Sequence, residues 1–108
     1  MKELRFYETT AGKQPFKEWL SGLKDVMGVA RINKRLENLM LGHRGDAEPV
    51  GDGVFELRIH CGPGYRIYCA EQGLKVVILP YGGAKGSQQR DIKRAISYWK
   101  DYQERYNE

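Results

Sequence analysis

The apolar positions of this chain change period repeatedly, and each change predicts an element. Leu4-Arg-Phe-Tyr-Glu-Thr9 alternates, with Leu4 and Phe6 on one side and Arg5 and Tyr7 on the other, as a short strand does. Phe16, Trp19, Leu20 and Leu23 then recur at helical spacing, with Pro15 at a first helical position. Asp25 is placed to cap a second, longer helix whose apolar face is Val29, Ile32, Leu36, Leu39 and Met40. Arg31, Lys34, Arg35 and Glu37 point outward from it, and Gly42 closes it. His43 to Gly53 is a loop by composition. From Phe55 to Cys69 the period returns to two around Gly62-Pro63-Gly64, which predicts a hairpin.

Glu71 to Gly73 makes a further turn, and Leu74 to Tyr81 is the most apolar strand, which predicts a central place in the sheet. Gly82 to Ser87 is expected to be a mobile connector. Ser87 is placed to cap a last helix carrying Ile92, Ala95, Ile96, Trp99 and Tyr102 on one stripe. The order β-α-α-β-β-β-α predicts a single α+β domain over residues 1–108, with a largely antiparallel sheet packed against helices.

Composition narrows the function classes. The chain has 108 residues, 30% of them charged and 41% hydrophobic, which suits a globular domain and argues against disorder. Eighteen Lys and Arg against 14 Asp and Glu give a net charge of +4, which favours an anionic partner such as nucleic acid or an acidic protein. The N-terminal MKELRFYETT has no apolar core, so no signal peptide is expected, and no apolar run reaches membrane-spanning length. Cys61 and Cys69 would not face each other across the hairpin, so both are expected to be free thiols in a reducing cytoplasm. With no CxxC pair and two histidines, His43 and His60, neither a structural metal nor a cofactor is expected.

The hairpin carries the candidate chemistry. If Phe55, Leu57, Ile59, Tyr65, Ile67 and Cys69 face the helices, the other face gathers Glu56, Arg58, His60, Arg66 and Tyr68, with Lys75 and Tyr81 as neighbours on the next strand. A solvated face laced with Glu–Arg pairs is one account of this set. An RNA platform is the other, because clustered guanidinium forks suit phosphate oxygens and interleaved rings suit stacked bases. His60 and Tyr68 could transfer protons. Lys85, in a glycine-flanked loop before a helix, resembles a weak phosphate corner without the spacing of a nucleotide-hydrolysing loop. Asp46, Glu48 and Asp52 are scattered through the loop and form no convincing magnesium site.

The succession FKEWLSGLKD, ARINKRLENLMLGHRGD, VGDGVFELRIHCGPGYRIY and VVILPYGGAKGSQQRDIKRA resembles the RelE/HigB/ParE toxin superfamily, and within it the phage-related "addiction module killer protein" branch. The resemblance runs from about Phe6 to Trp99. It implies the toxin of a type II toxin–antitoxin pair, with a RelE-like fold of a helical hairpin on a twisted sheet. It further implies a metal-independent, ribosome-dependent mRNA endonuclease that leaves a 2′,3′-cyclic phosphate and a 5′-hydroxyl and so inhibits translation. Carried onto this chain, Arg58 and Arg66 would hold the scissile phosphate, and Lys85 would grip phosphate or the leaving oxygen. Glu56 and His60 are the candidate bases, Tyr68 a stacking or acid group, and Tyr81, Lys75 and Gln88 further RNA contacts; Gln88 and Asp91 also fit the branch pattern. RelE's strand lysine pair and HigB's C-terminal histidine have no counterpart here.

The implied partners are a cognate HigA-like helix-turn-helix antitoxin, mRNA and the ribosome, with operator DNA reached only through the antitoxin and no membrane. Two other readings share the resemblance. One is a ParE-like gyrase poison, whose activity would lie on the helical hairpin. The other is an inactive module that only binds its antitoxin.

Overall fold

The alternating and helical stripes assemble into one mixed sheet with helices on both faces. The computed structural model describes residues 1–106. In chain order the elements are β1 (Glu3–Phe6), α1 (Pro15–Gly22), α2 (Val26–Met40), β2 (Ala47–Gly51), β3 (Val54–Ile59), β4 (Tyr65–Gln72), β5 (Val76–Ala84), a 3₁₀ turn (Lys85–Ser87) and α3 (Gln88–Arg105). The strands lie in the order β1-β5-β4-β3-β2, with β1 parallel to β5 and every other neighbour antiparallel. This is an α+β fold with a five-stranded open sheet.

Several local expectations change. The segment expected to be a loop before the hairpin contains β2, which pairs Ala47, Glu48 and Pro49 with Leu57, Glu56 and Phe55. Backbone pairing with β3 overrides the turn-rich composition there. As its apolar run predicts, β5 lies inside the sheet, because β1 returns parallel alongside it and covers what would otherwise be an edge. Gly82 to Ala84 is not a mobile connector but the last part of β5, with both glycines buried. Pro80 lacks an N–H for the ladder, and the β4–β5 register shifts between Tyr68 and Ala70 where it sits.

Two cores form on opposite sides of the sheet. Phe16, Ile32, Leu39, Phe55, Leu57, Ile59, Ile67 and Leu79 fill the space beneath α1 and α2. Tyr7, Val54, Tyr68, Ile78, Ala95, Trp99 and Tyr102 fill the space beneath α3. The second face of the hairpin is therefore covered along much of its length.

Asp25 caps α2 as its position suggests: one carboxylate oxygen accepts from Gly28 N at 3.0 Å, while the other accepts from Tyr65 OH at 2.7 Å. Helix and hairpin are thus fastened by one side chain. Ser87 does not cap α3 through a backbone amide. Its hydroxyl donates to the Asp91 carboxylate and the Ala84 carbonyl instead. Arg35 turns inward from α2 and donates to the carbonyls of Arg58, Arg44 and Asp46, so it staples the start of β2 to the end of β3.

Helices approach β5 from both sides where it has no side chains. A Cβ at Gly82 would overlap the Trp19 ring of α1, and one at Gly83 would overlap the Asp91 carboxylate of α3. By contrast, a Cβ at Gly86 meets nothing within 4 Å. Gly82→Ala is expected to lower unfolding free energy by about 1–3 kcal/mol through overpacking, and Gly86→Ala to stay within about 0.5 kcal/mol. Urea denaturation of the two variants checks the pair.

Candidate functional site

Strand register sets the polar side chains of the α3 face in two adjacent rungs. One rung runs Glu48–Glu56–Tyr68–Tyr81 across β2, β3, β4 and β5. The next runs Arg58–Arg66–Gly83, with Asp46 at the β2 end through an Arg58 N to Asp46 O bond of 2.9 Å. Carboxylates therefore stand opposite carboxylates, and guanidinium groups opposite each other, which is unfavourable within each rung. Attraction between the rungs resolves it.

Glu56, in the first rung, meets the arginines of the second and is 1% exposed. Both its oxygens accept from Gln88 Nε2, at 2.9 and 3.0 Å, and Arg58 Nε donates to it at 3.2 Å. Arg58 is held further by Glu48 at 3.7 Å and Asp46 at 4.0 Å, so three carboxylates surround one guanidinium. Arg66 differs. It is 6% exposed, its Nε stands 4.0 Å from Glu56, and its Nε and Nη1 have no hydrogen-bond partner among the described residues. A buried guanidinium with unfilled donors is costly unless an anion completes it.

Arg66 lines an open cavity of about 300 Å³ at the tip of the hairpin, together with His60, Cys61, the Gly62-Pro63-Gly64 turn and Lys85. The turn requires its glycines: Gly62 and Gly64 have φ of 54° and 80°. Gly64 O accepts from Lys85 N at 2.7 Å, which places the end of β5 against the turn. Lys85 is exposed, so its ammonium group adds mobile positive charge to the fixed charge of Arg66. His60 Nε2 lies 2.6 Å from Asp46 Oδ2. The His60 hydrogen bond, aided by the nearby Arg58 charge, holds the Asp46 carboxyl below its usual range.

The remaining sequence-predicted residues lie elsewhere or are covered. Tyr68 is fully buried beneath α3, and its hydroxyl has no partner among the described residues. Burial, with the Glu56 charge next, pushes its phenol up. The expectation that Tyr68 stacks on a base is corrected: α3 occupies the space a base would need. Lys75 is not beside the site, because it sits in the β4–β5 turn at the other end of β4 from Arg66. Tyr81 is half-buried and accepts from Arg94 Nη1 at 3.1 Å, in a separate cavity of about 380 Å³ with Trp19 and Tyr98. Gln88 joins the cluster through Glu56, whereas Asp91 bonds Ser87 beneath Gly83.

Sequence reasoning missed Asp46, Arg35 and Cys61. Asp46 and Glu48 look scattered until β2 is recognised; Glu48 lies in the strand, Asp46 immediately before it, and their spacing of two residues is the signal. Among the described residues, no group of three His, Cys, Asp or Glu side chains is arranged to hold a metal ion. None of the described helices is long and apolar enough to cross a membrane.

The Asp46–His60 contact gives a pH-dependent expectation. A carboxyl whose folded pKa is depressed contributes stability above its unfolded pKa, and loses it as pH falls through the folded value. His60→Ala is expected to raise the Asp46 pKa towards the usual carboxylate range, which carboxyl-carbon NMR titration reads directly.

No family model matches the chain. A Haemophilus influenzae protein described as an "Uncharacterized protein" is 49% identical over 80 residues, which span 74% of this chain and 81% of that protein. At that identity and coverage, this chain belongs to the same protein family as the Haemophilus influenzae protein.

Proposed function

We propose that the chain is the toxin of a type II toxin–antitoxin pair, with the RelE-like form of the α+β fold, and that it cleaves mRNA on the ribosome at the hairpin cavity. The observation that carries the reading is Arg66: buried, unsatisfied, and beside Lys85 in an open cavity. A phosphodiester in the cavity would meet the positive charge of Arg66 and Lys85, which guanidinium and ammonium groups offer to phosphate oxygens. Two successive helices, α1 and α2, on one side of the sheet support the same reading, as do the sequence motifs that span most of the chain.

In this reading the residues divide their work. Arg66 and Lys85 bind the scissile phosphate and stabilise the charge that builds on it. His60, oriented by Asp46, takes the 2′-hydroxyl proton as the 2′-oxygen bonds to phosphorus, and the 5′-oxygen leaves as a hydroxyl with a proton from the Lys85 ammonium. Glu56 is a positioning residue rather than a base, because Gln88 and Arg58 occupy its oxygens. Arg58, already ringed by carboxylates, aligns the strand pair and tunes the field at Arg66. A HigA-like antitoxin would neutralise the toxin, and mRNA and the ribosome would be its targets.

Induced expression in a bacterial host, followed by growth curves and primer extension on cellular transcripts, tests this. The native chain is expected to arrest growth and leave discrete transcript ends. Lys85→Ala and Arg66→Gln should each lose about 10²-fold or more in cleavage, the scale of removing one transition-state donor. Circular dichroism distinguishes lost chemistry from lost folding. DNA damage with intact transcripts would replace the nuclease reading with the gyrase one.

A further inference from the structure

A second open cavity, of about 380 Å³, has aromatic walls and a cationic rim, and the reading above leaves it unused. It forms where the sheet steps down. β1 ends at Phe6 opposite Leu79, while β5 runs on to Ala84, so from Tyr81 onward β5 has no strand on its β1 side. There α1 and α3, packed on opposite faces, bring Trp19, Tyr81 and Tyr98 to one hollow. Gly82 sets the Trp19 ring, since its lack of a side chain lets the indole lie against β5. Tyr98 is stacked on Tyr7 at 4.8 Å and meets Tyr81 edge-on at 6.1 Å. All three rings are half-buried, so each keeps some surface open and is ordered before a ligand arrives.

Two cations stand at the rim. Lys13 is exposed on a tight turn, where Thr9 N donates to Lys13 O at 2.7 Å and Lys13 N donates to Thr9 Oγ1 at 3.1 Å. Arg94, exposed on α3, lies over the Tyr81 ring at 5.4 Å. It donates to the Tyr81 hydroxyl at 3.1 Å rather than pairing with a carboxylate among the described residues. Among the described residues, Glu18 is the one acidic group of the lining, and its Oε2 accepts from Gln14 N at 3.1 Å. Apolar rings beside cations that lack carboxylate partners suit a planar group carrying negative charge.

We propose that this cavity binds one nucleotide unit, its base against the Trp19, Tyr81 and Tyr98 rings and its phosphate beside Lys13 and Arg94. A free mononucleotide and a unit of single-stranded RNA share this chemistry. The site stands apart from the hairpin cavity and holds whether or not RNA is cleaved there.

Binding to the whole chain is tested with probes that hold no cleavable phosphodiester. Adenosine 5′-monophosphate and, separately, a 2′-O-methyl adenosine decamer are titrated in while NMR follows the two indole N–H signals. The Trp19 signal is expected to move, and that of Trp99, buried beneath α3, to stay. Movement with the mononucleotide assigns a free nucleotide as occupant, and movement with the decamer alone assigns an RNA unit. In fluorescence anisotropy the decamer should bind about fivefold or more tighter than an abasic decamer of equal charge, the lower end of base–aromatic stacking. Lys13→Gln and Arg94→Gln, both exposed, should each lower the salt slope of decamer binding by about 0.7, the loss of one phosphate contact on a single strand. A Trp19 signal unmoved by both probes, abasic binding as tight as that of the decamer, or a salt slope unchanged in both variants would each overturn the site.

Discussion

The buried carboxylate of Glu56 is the constraint on which the polar half of this protein depends. An ionised group at 1% exposure is tolerated only when its oxygens are filled, and here the first turn of α3 fills them through Gln88. The same carboxylate meets Arg58 directly and stands short of hydrogen-bonding distance from Arg66. One side chain thus docks a helix, orders one arginine and leaves the other incompletely satisfied. Without it, the cross-strand pair Arg58–Arg66 would face itself with no internal counter-charge.

That asymmetry gives two chemically identical side chains different capacities. Arg58 has its demand for acceptors met within the fold, by residues of β2 and β3. Arg66 has one carboxylate near it, Glu56 at 4.0 Å, and its partner on β5 is Gly83, which offers only backbone. The glycine leaves room for Asp91 of α3, yet that carboxylate is taken by Ser87. The unmet donors of Arg66 follow from the arrangement of three elements rather than from the hairpin alone.

Much of the architecture was legible in the chain because apolar period is a strong local signal. The stripes of α1, α2 and α3 and the alternation of β3 and β4 all formed as the spacing predicts. The α+β class followed from their order. What the period could not convey was pairing across sequence. β2 is recognisable only once β3 is there to receive it, and β5 is interior only because β1 returns from the other end of the chain to pair with it in parallel. The site shows the same division. Alternation placed Glu56, Arg58, Arg66 and Tyr68 on one face, but it could not reveal that α3 lies over that face and buries the tyrosine. Nor could it separate Lys85, which the turn draws into the cavity, from Lys75, which the strand carries away.

Pro49 gives the sheet a property of its own. It sits in β2, the outermost strand, where its ring removes one of the amide donors that a free strand edge presents. The irregular register between Pro49 and Gly51 then bends the strand just beyond it. At the far side of the sheet, β1 is only four residues long and exposes the charged Glu3 and Arg5 beside Phe6. Neither border offers a long, flat, uncharged template, so the sheet resists growing by recruiting strands from other chains. Blunted margins of this kind are what a sheet with such apolar central strands needs against edge-to-edge pairing.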